Sequence, residues 1–205
     1  MEFEGLSIEV SDEVYEPSDD SLLAAELVKE YLSQRKDKEI DVLDVGTGTG
    51  VLGLVCAKSG KAKSVTFADI RSEAIALARA NFARNMEHVK GCACRFVVSD
   101  LFQNLEGSYD LVIFNAPYLR HEESDERHPE ASRAWDGGEE GIELSIRFLE
   151  ELGGHLKRGG RAVLVASTAS EYDKLLDAIE SLGYSVEATK KARFFFEEIV
   201  AMLIE

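Results

Sequence analysis

The stretch Asp41–Gly53, DVLDVGTGTGVLG, decides how the rest of the chain is read. Residues 39–46 form a short apolar run of the kind that makes a buried strand, and it meets glycines at 46, 48 and 50. The apolar run 51–59 that follows reads as a helix. Glycines between a strand and a helix let the backbone turn tightly and approach a ligand at the strand's carboxyl end. The pattern Gly48-Thr-Gly50-Val-Leu-Gly53, with Asp69 beyond it, also satisfies a dinucleotide fingerprint. Two features go against that reading. Counted from Gly46, the glycine that closes the strand, the spacing fails because position 51 is Val. Asp44 would also face a pyrophosphate at close range and repel it, whereas it suits a ligand that carries positive charge.

Working outward, apolar runs and helical stretches alternate. Strands are expected at 63–70, 94–100, 109–115 and 161–167, with helices over 20–34, 71–86, 141–160 and 170–182. Two last strands, 184–192 and 197–205, are joined by a short turn around Phe194–Phe196. Strands separated by helices predict an α/β fold with a Rossmann-like, seven-stranded, mostly parallel sheet and helices on both faces. The final pair is too close in sequence for a helical crossover, so one antiparallel strand is expected near the C-terminus. The 205 residues read as one domain, with an N-terminal segment and helix over 1–38 and a polar loop over 120–140.

Acidic residues outnumber basic ones 39 to 23, for a net charge of −16. That balance argues against a free-standing nucleic-acid binder, whose affinity rests on neutralising phosphates. No window has the 18 or so consecutive apolar residues of a membrane helix, and the N-terminus MEFEGLSIEV lacks the layout of a signal peptide. Cys56, Cys92 and Cys94 cannot all pair and fit a reducing compartment, so a cytoplasmic protein is expected. His88, Cys92 and Cys94 are too crowded for a standard zinc spacing, and no metal site is expected.

Three acids fall at the carboxyl ends of three successive strands around the glycine loop: Asp44, Asp69 and Asp100. S-adenosylmethionine meets that pattern, with an ammonium and a sulfonium and no phosphate. Its ribose diol wants an acceptor, which Asp69 supplies. Its adenine amine wants another, which Asp100 supplies, with Leu101 flanking the ring.

These residues resemble class I S-adenosylmethionine-dependent methyltransferases. Asn115-Ala116-Pro117-Tyr118, at the end of 109–115, is similar to the Asn-Pro-Pro-Tyr motif of enzymes that methylate planar nitrogens, adenine N6 or the glutamine amide. The segment VYEPSDDSLLAAEL (14–27) is similar to the Tyr-Glu-Pro-x-Glu-Asp-Thr stretch of HemK-related glutamine methyltransferases of archaea and eukaryotes, which act on release factors. AWDGGEEG (134–141) resembles their Trp-x-Gly-Gly segment. The resemblance implies that Asp44, Gly46 and Gly48 lie at the methionine part of the cofactor, Asp69 at the ribose, and Asp100 with Leu101 at the adenine. The 1–38 segment would cover the cofactor, and 120–140 would lie on the substrate side. Ser21 falls where the family has Thr, a hydroxyl near the cofactor carboxylate. Ala116 replaces the first Pro of the motif.

On this reading Asn115, which also adjoins the cofactor, offers a side-chain acceptor to the substrate amide. The Ala116 carbonyl offers a second, Pro117 keeps residue 116 extended, and Tyr118 packs on the planar group. Ala116→Pro is expected to be neutral or slightly stabilising. The acceptor implied is the glutamine of the Gly-Gly-Gln loop of a class I release factor. A protein lysine, adenine N6 of DNA or RNA, and a scaffold without catalysis are the alternatives. The family also implies a heterodimer, in which a small zinc-binding activator subunit adds a strand to the sheet edge, here expected at 92–100.

Overall fold

The computed structural model describes residues 1–36, 39–89, 91–118, 141–194 and 197–205. The 120–140 loop, almost all of AWDGGEEG and the Phe195–Phe196 turn therefore lie outside the described residues. The central strand is β3 (Ile40–Val45), which pairs in parallel with β4 (Ala62–Asp69) on one side and β6 (Tyr109–Phe114) on the other. The sheet continues through β5 (Ala93–Val98), β7 (Leu156–Ser167), β8 (Val186–Arg193) and β9 (Glu198–Ile204) in the order β5-β4-β3-β6-β7-β9-β8. β9 runs antiparallel to both β7 and β8, which makes it the single reversed strand expected from the sequence.

Alternation along each strand assigns the two faces. In β6, Leu111 and Ile113 join one apolar cluster while Val112 and Phe114 join the other. The first cluster is completed by α1 (Asp19–Gln34) and α2 (Val51–Lys58), the second by α4 (Glu143–Leu152) and α5 (Tyr172–Ser181). α3 (Ser72–Arg84) follows β4 and packs on β4 and β5. Gly53 lets α2 lie close to the sheet, since a Cβ there would come within 2.3 Å of the Phe67 ring.

Two details differ from the sequence reading. The helix expected over 141–160 stops at Leu152, and β7 begins at Leu156. The glycines at 159 and 160 lie inside that strand, where the pairing with β6 slips between Tyr109 and Leu111. The N-terminus also opens with an unexpected hairpin, β1 (Glu2–Phe3) and β2 (Leu6–Ser7), turned by Glu4 and Gly5 at φ 50° and 69°. Asn81 and Asn85 clamp the chain that follows it to α3. Asn85 exchanges hydrogen bonds with the Ser7 backbone, and Asn81 does so with that of Glu9 while also donating to the Thr49 carbonyl of the glycine loop.

Candidate active site

The chain builds outward from β3 in both directions, first to β4 and β5 and then to β6 and β7. The crevice at such a reversal, beyond the carboxyl ends of the strands, is where open α/β sheets bind ligands. A cavity of about 280 Å³ lies there. Its walls include Gly46, Gly48, Asp69, Asp100, Leu101, Asn115 and Pro117, each singled out from the sequence. Val14 and Tyr15 of the N-terminal segment also line it.

The glycine loop takes its shape from positive φ at Gly46, Gly48 and Gly50 (59°, 53° and 84°). Asp44 lies beneath the loop and is absent from the cavity wall. It is 1 % exposed, and its Oδ2 accepts from Thr47 Oγ1 (2.5 Å) and from the Gly53 amide at the start of α2 (2.9 Å). Burial pushes its carboxyl up to about 7 in spite of those two donors. Asp69, 8 % exposed, does face the cavity. It accepts from the amides of Gly48 (2.9 Å) and Arg71 (3.0 Å), one on each oxygen, and burial raises its carboxyl as well. Each oxygen keeps a further lone pair for a ligand hydroxyl. The Asp69 and Asp100 carboxylates on the cavity wall accept from hydroxyl and amine donors, which suits a phosphate-free ligand such as S-adenosylmethionine and opposes a pyrophosphate.

At the end of β6 the arrangement changes. The Asn115 Nδ2 donates to Asp20 Oδ2 (3.1 Å) and to Ser21 Oγ (3.3 Å). Asp20 is 4 % exposed, and its Oδ2 also accepts from Tyr15 (3.1 Å) and Tyr118 (3.2 Å) while Oδ1 accepts from the Ser21 amide and hydroxyl. Burial first, and then the Asp20 charge, raises both phenols, so they remain hydrogen-bond donors. A carboxylate can only accept, which settles the orientation of the Asn115 amide: its NH₂ points to Asp20 and its oxygen points away. That oxygen, Oδ1, is buried and has no hydrogen-bond partner among the described residues. Ala116 is packed away at 2 % exposure, and Tyr118 is half-buried beside Asp20. Ser21 does not line the cavity; it bridges Asp20 and Asn115. Asp20 and Tyr15 are the residues that reading the sequence missed, although both stand inside the quoted 14–27 segment.

Comparisons with known proteins give the family. The family model described as "Methyltransferase small domain" matches residues 19–131, more than half of the chain. A Methanocaldococcus jannaschii protein with the provisional name protein N5-glutamine methyltransferase is 35 % identical over 98 % of this chain and 96 % of its own length. The release factor glutamine methyltransferase of Streptococcus pneumoniae is 32 % identical over 80 % of this chain, and the match spans 57 % of that longer protein. Among solved structures, the E. cuniculi Mtq2–Trm112 complex, described as responsible for methylation of the termination factor eRF1, has a TM-score of 0.67 at 24 % identity. It covers 94 % of this chain and 98 % of that one, and the likeness is one of fold. The chain belongs to the methyltransferase small domain family, in its HemK-related glutamine N5-methyltransferase branch.

Proposed function

We propose that the chain uses S-adenosylmethionine to methylate the side-chain amide nitrogen of a protein glutamine, and that this glutamine is the one in the Gly-Gly-Gln loop of a class I release factor. The observation that carries the reading is the buried Oδ1 of Asn115, which has no partner among the described residues. Leaving a buried acceptor unpaired costs about 1–3 kcal/mol, so a position that keeps one is reserved for a donor that arrives with the ligand. A primary amide brings such a donor. An ammonium would be drawn to Asp20, but that carboxylate is already engaged by Tyr15, Tyr118, Asn115 and Ser21.

Asp69 would hold the ribose hydroxyls, Asp100 with Leu101 the adenine, and the Gly46–Gly48 backbone the methionine end. Asp44 acts through the loop it pins. Bound there, S-adenosylmethionine supplies a methyl group already activated by its sulfonium. The protein's task is the nucleophile, whose lone pair is delocalised into the carbonyl. Asn115 Oδ1 and the Ala116 carbonyl accept from the two N–H groups of the amide and hold its nitrogen in line, with Tyr118 as a wall. Orientation of this kind is worth up to roughly 7–11 kcal/mol. The methylated nitrogen then loses a proton to water, so no general base is needed.

The activator reading is supported by the edges of the sheet. β5 ends the sheet on one side, with Val98 46 % exposed and the uncharged run Phe96–Val98 doing little to blunt it. The opposite edge, β8, carries Lys190, Lys191 and Arg193. A small zinc-binding subunit would add its strand to β5.

Labelled methyl transfer tests the whole reading, with release factor, a lysine-bearing histone-type tail and DNA offered separately, with and without an activator subunit. The expected result is label on the release factor, lost when the glutamine of its loop is replaced by asparagine. Label on the tail or on DNA alone would overturn the glutamine assignment.

A further inference from the structure

Arg147 lines the cavity, yet the methyl-transfer reading gives it nothing to do. It projects from α4, and its Nη2 donates to Asp100 Oδ1 in an ion pair that joins two segments 47 residues apart. Its Nε donates to Glu151 Oε1, one helical turn further on, at 3.3 Å, so the guanidinium is held from two sides. Asp100 sits in a turn that is itself tightly specified. Ser99 Oγ donates to the Leu101 carbonyl (2.9 Å) and accepts from the Asn104 amide (3.0 Å), while Leu101 keeps φ at +43°. A bulky residue holds that conformation only where its surroundings over-determine it, which is a common property of ligand clamps. The other Asp100 oxygen, Oδ2, has a contact from Gln103 Nε2 at 3.4 Å, at the weak end of the range.

We infer that Arg147 is a positioning residue for the purine end of the cofactor site: by occupying Oδ1 of Asp100 it leaves Oδ2 as the acceptor and so makes the site prefer a 6-aminopurine to a 6-oxopurine. The planar guanidinium suits this place because its fork fixes the carboxylate in one orientation, which a lysine ammonium does not do. An exocyclic amine donates to Oδ2. A 6-oxo group sets its lone pairs against that oxygen and is rejected, much as a site built to hydrogen-bond one group excludes an analogue that lacks it. Without Arg147 the carboxylate can turn, and the discrimination weakens.

The inference rests on the proposed cofactor, and calorimetry with S-adenosylhomocysteine and S-inosylhomocysteine tests it without any turnover. The unaltered chain is expected to bind the adenosyl compound much more tightly than the inosyl one. Arg147→Met is expected to weaken the adenosyl compound about tenfold and the inosyl compound hardly at all, with Arg147→Lys between them. In an Asp100→Asn background, Arg147→Met should have little further effect. An unchanged ratio in Arg147→Met overturns the inference, and so does tighter adenosyl binding, which would mean that the guanidinium competes with the purine for Asp100. Failure of the unaltered chain to bind S-adenosylhomocysteine overturns the cofactor reading itself, and it is seen before any variant is made.

Discussion

On the side of the cleft built by β3 and β4, the carboxylates of Asp44 and Asp69 are engaged by the loop they support, through Thr47, Gly48, Gly53 and Arg71. At the end of β6, by contrast, Asn115 has its NH₂ fixed by Asp20 and Ser21 while its oxygen is buried and unpaired among the described residues. The first half is a network whose every carboxylate is already held in place, with only spare lone pairs of Asp69 turned to a ligand, and it sets a shape. The second is a network with one valence left open. Damage to the first should therefore appear in ligand binding and stability, and damage to the second in the rate.

The largest effect is expected for Asn115→Ala. It removes the open acceptor, and loss of one pre-aligned hydrogen-bonding group at a reacting centre typically costs about 10²–10³ in rate. A drop in kcat of about 10³-fold is expected, with affinity for S-adenosylhomocysteine nearly intact by calorimetry. Collapse of that affinity together with the rate would place Asn115 in the first half, as a structural residue.

Next comes Asp20→Asn. The five donors that converge on the two Asp20 oxygens then meet one oxygen and one NH₂, so the network cannot be satisfied and its hold on the Asn115 amide is weakened. We expect kcat to fall about 10²-fold, with KM for the cofactor changed by less than about threefold. Equal losses in both constants would mean that Asp20 only supports the fold.

Asp44 gives a pH-dependent test of the first half. Burial pushes its carboxyl up to about 7 in the folded chain, against an ordinary value of 3.8. Between those values the folded state holds a proton that the unfolded state has released, so this group makes stability fall as pH rises from about 4 to about 7 and level off above. Asp44→Asn keeps an acceptor for Thr47 and Gly53 and has no proton to lose. The difference in Tm between Asp44→Asn and the parent chain should therefore grow in the variant's favour across that interval. A difference that stays flat with pH would mean that Asp44 is ionised throughout.

The contrast between the halves also explains what could be read from the sequence. The sheet and its single reversed strand were legible because short apolar runs, helical periodicity and glycine positions are local signals. The far end of the 141–160 stretch was not, because the start of β7 at Leu156 depends on a slipped pairing with Tyr109, a partner distant in sequence. Asp69, Asp100 and Asn115 were found because each ends a strand or follows one within two residues. Asp44 was placed at the right strand end but was expected to face the ligand, and the structure turns it the other way. It shares the face of Val42, which packs with α2, so alternation turns it beneath the loop and away from the cavity. Asp20 looked like an ordinary acid in the first turn of a helix, favoured there by the helix dipole. Its bond to Asn115 spans 95 residues, and nothing local announces it.

The smallest effect concerns Ala116, next to the open valence. From the sequence, Ala116→Pro looks neutral or slightly stabilising, since a ring that restricts the unfolded chain is worth about 0.4–1 kcal/mol. The fold adds an opposing cost. Ala116 is only 2 % exposed and packs in the cluster that contains Phe114 and Phe148, so the ring must displace neighbours, at about 1–3 kcal/mol for an overpacked site. The second effect is the larger, and Tm is expected to fall by about 2–4 °C. The carbonyl of residue 116 is unaltered by the exchange, so kcat should stay within about threefold of the parent. A rise in Tm would show that the pocket around Ala116 already has room for the ring. A large loss of rate with Tm unchanged would move Ala116 from the packing of β6 into the alignment of the acceptor itself, and the boundary between the two halves of the cleft would then fall one residue later.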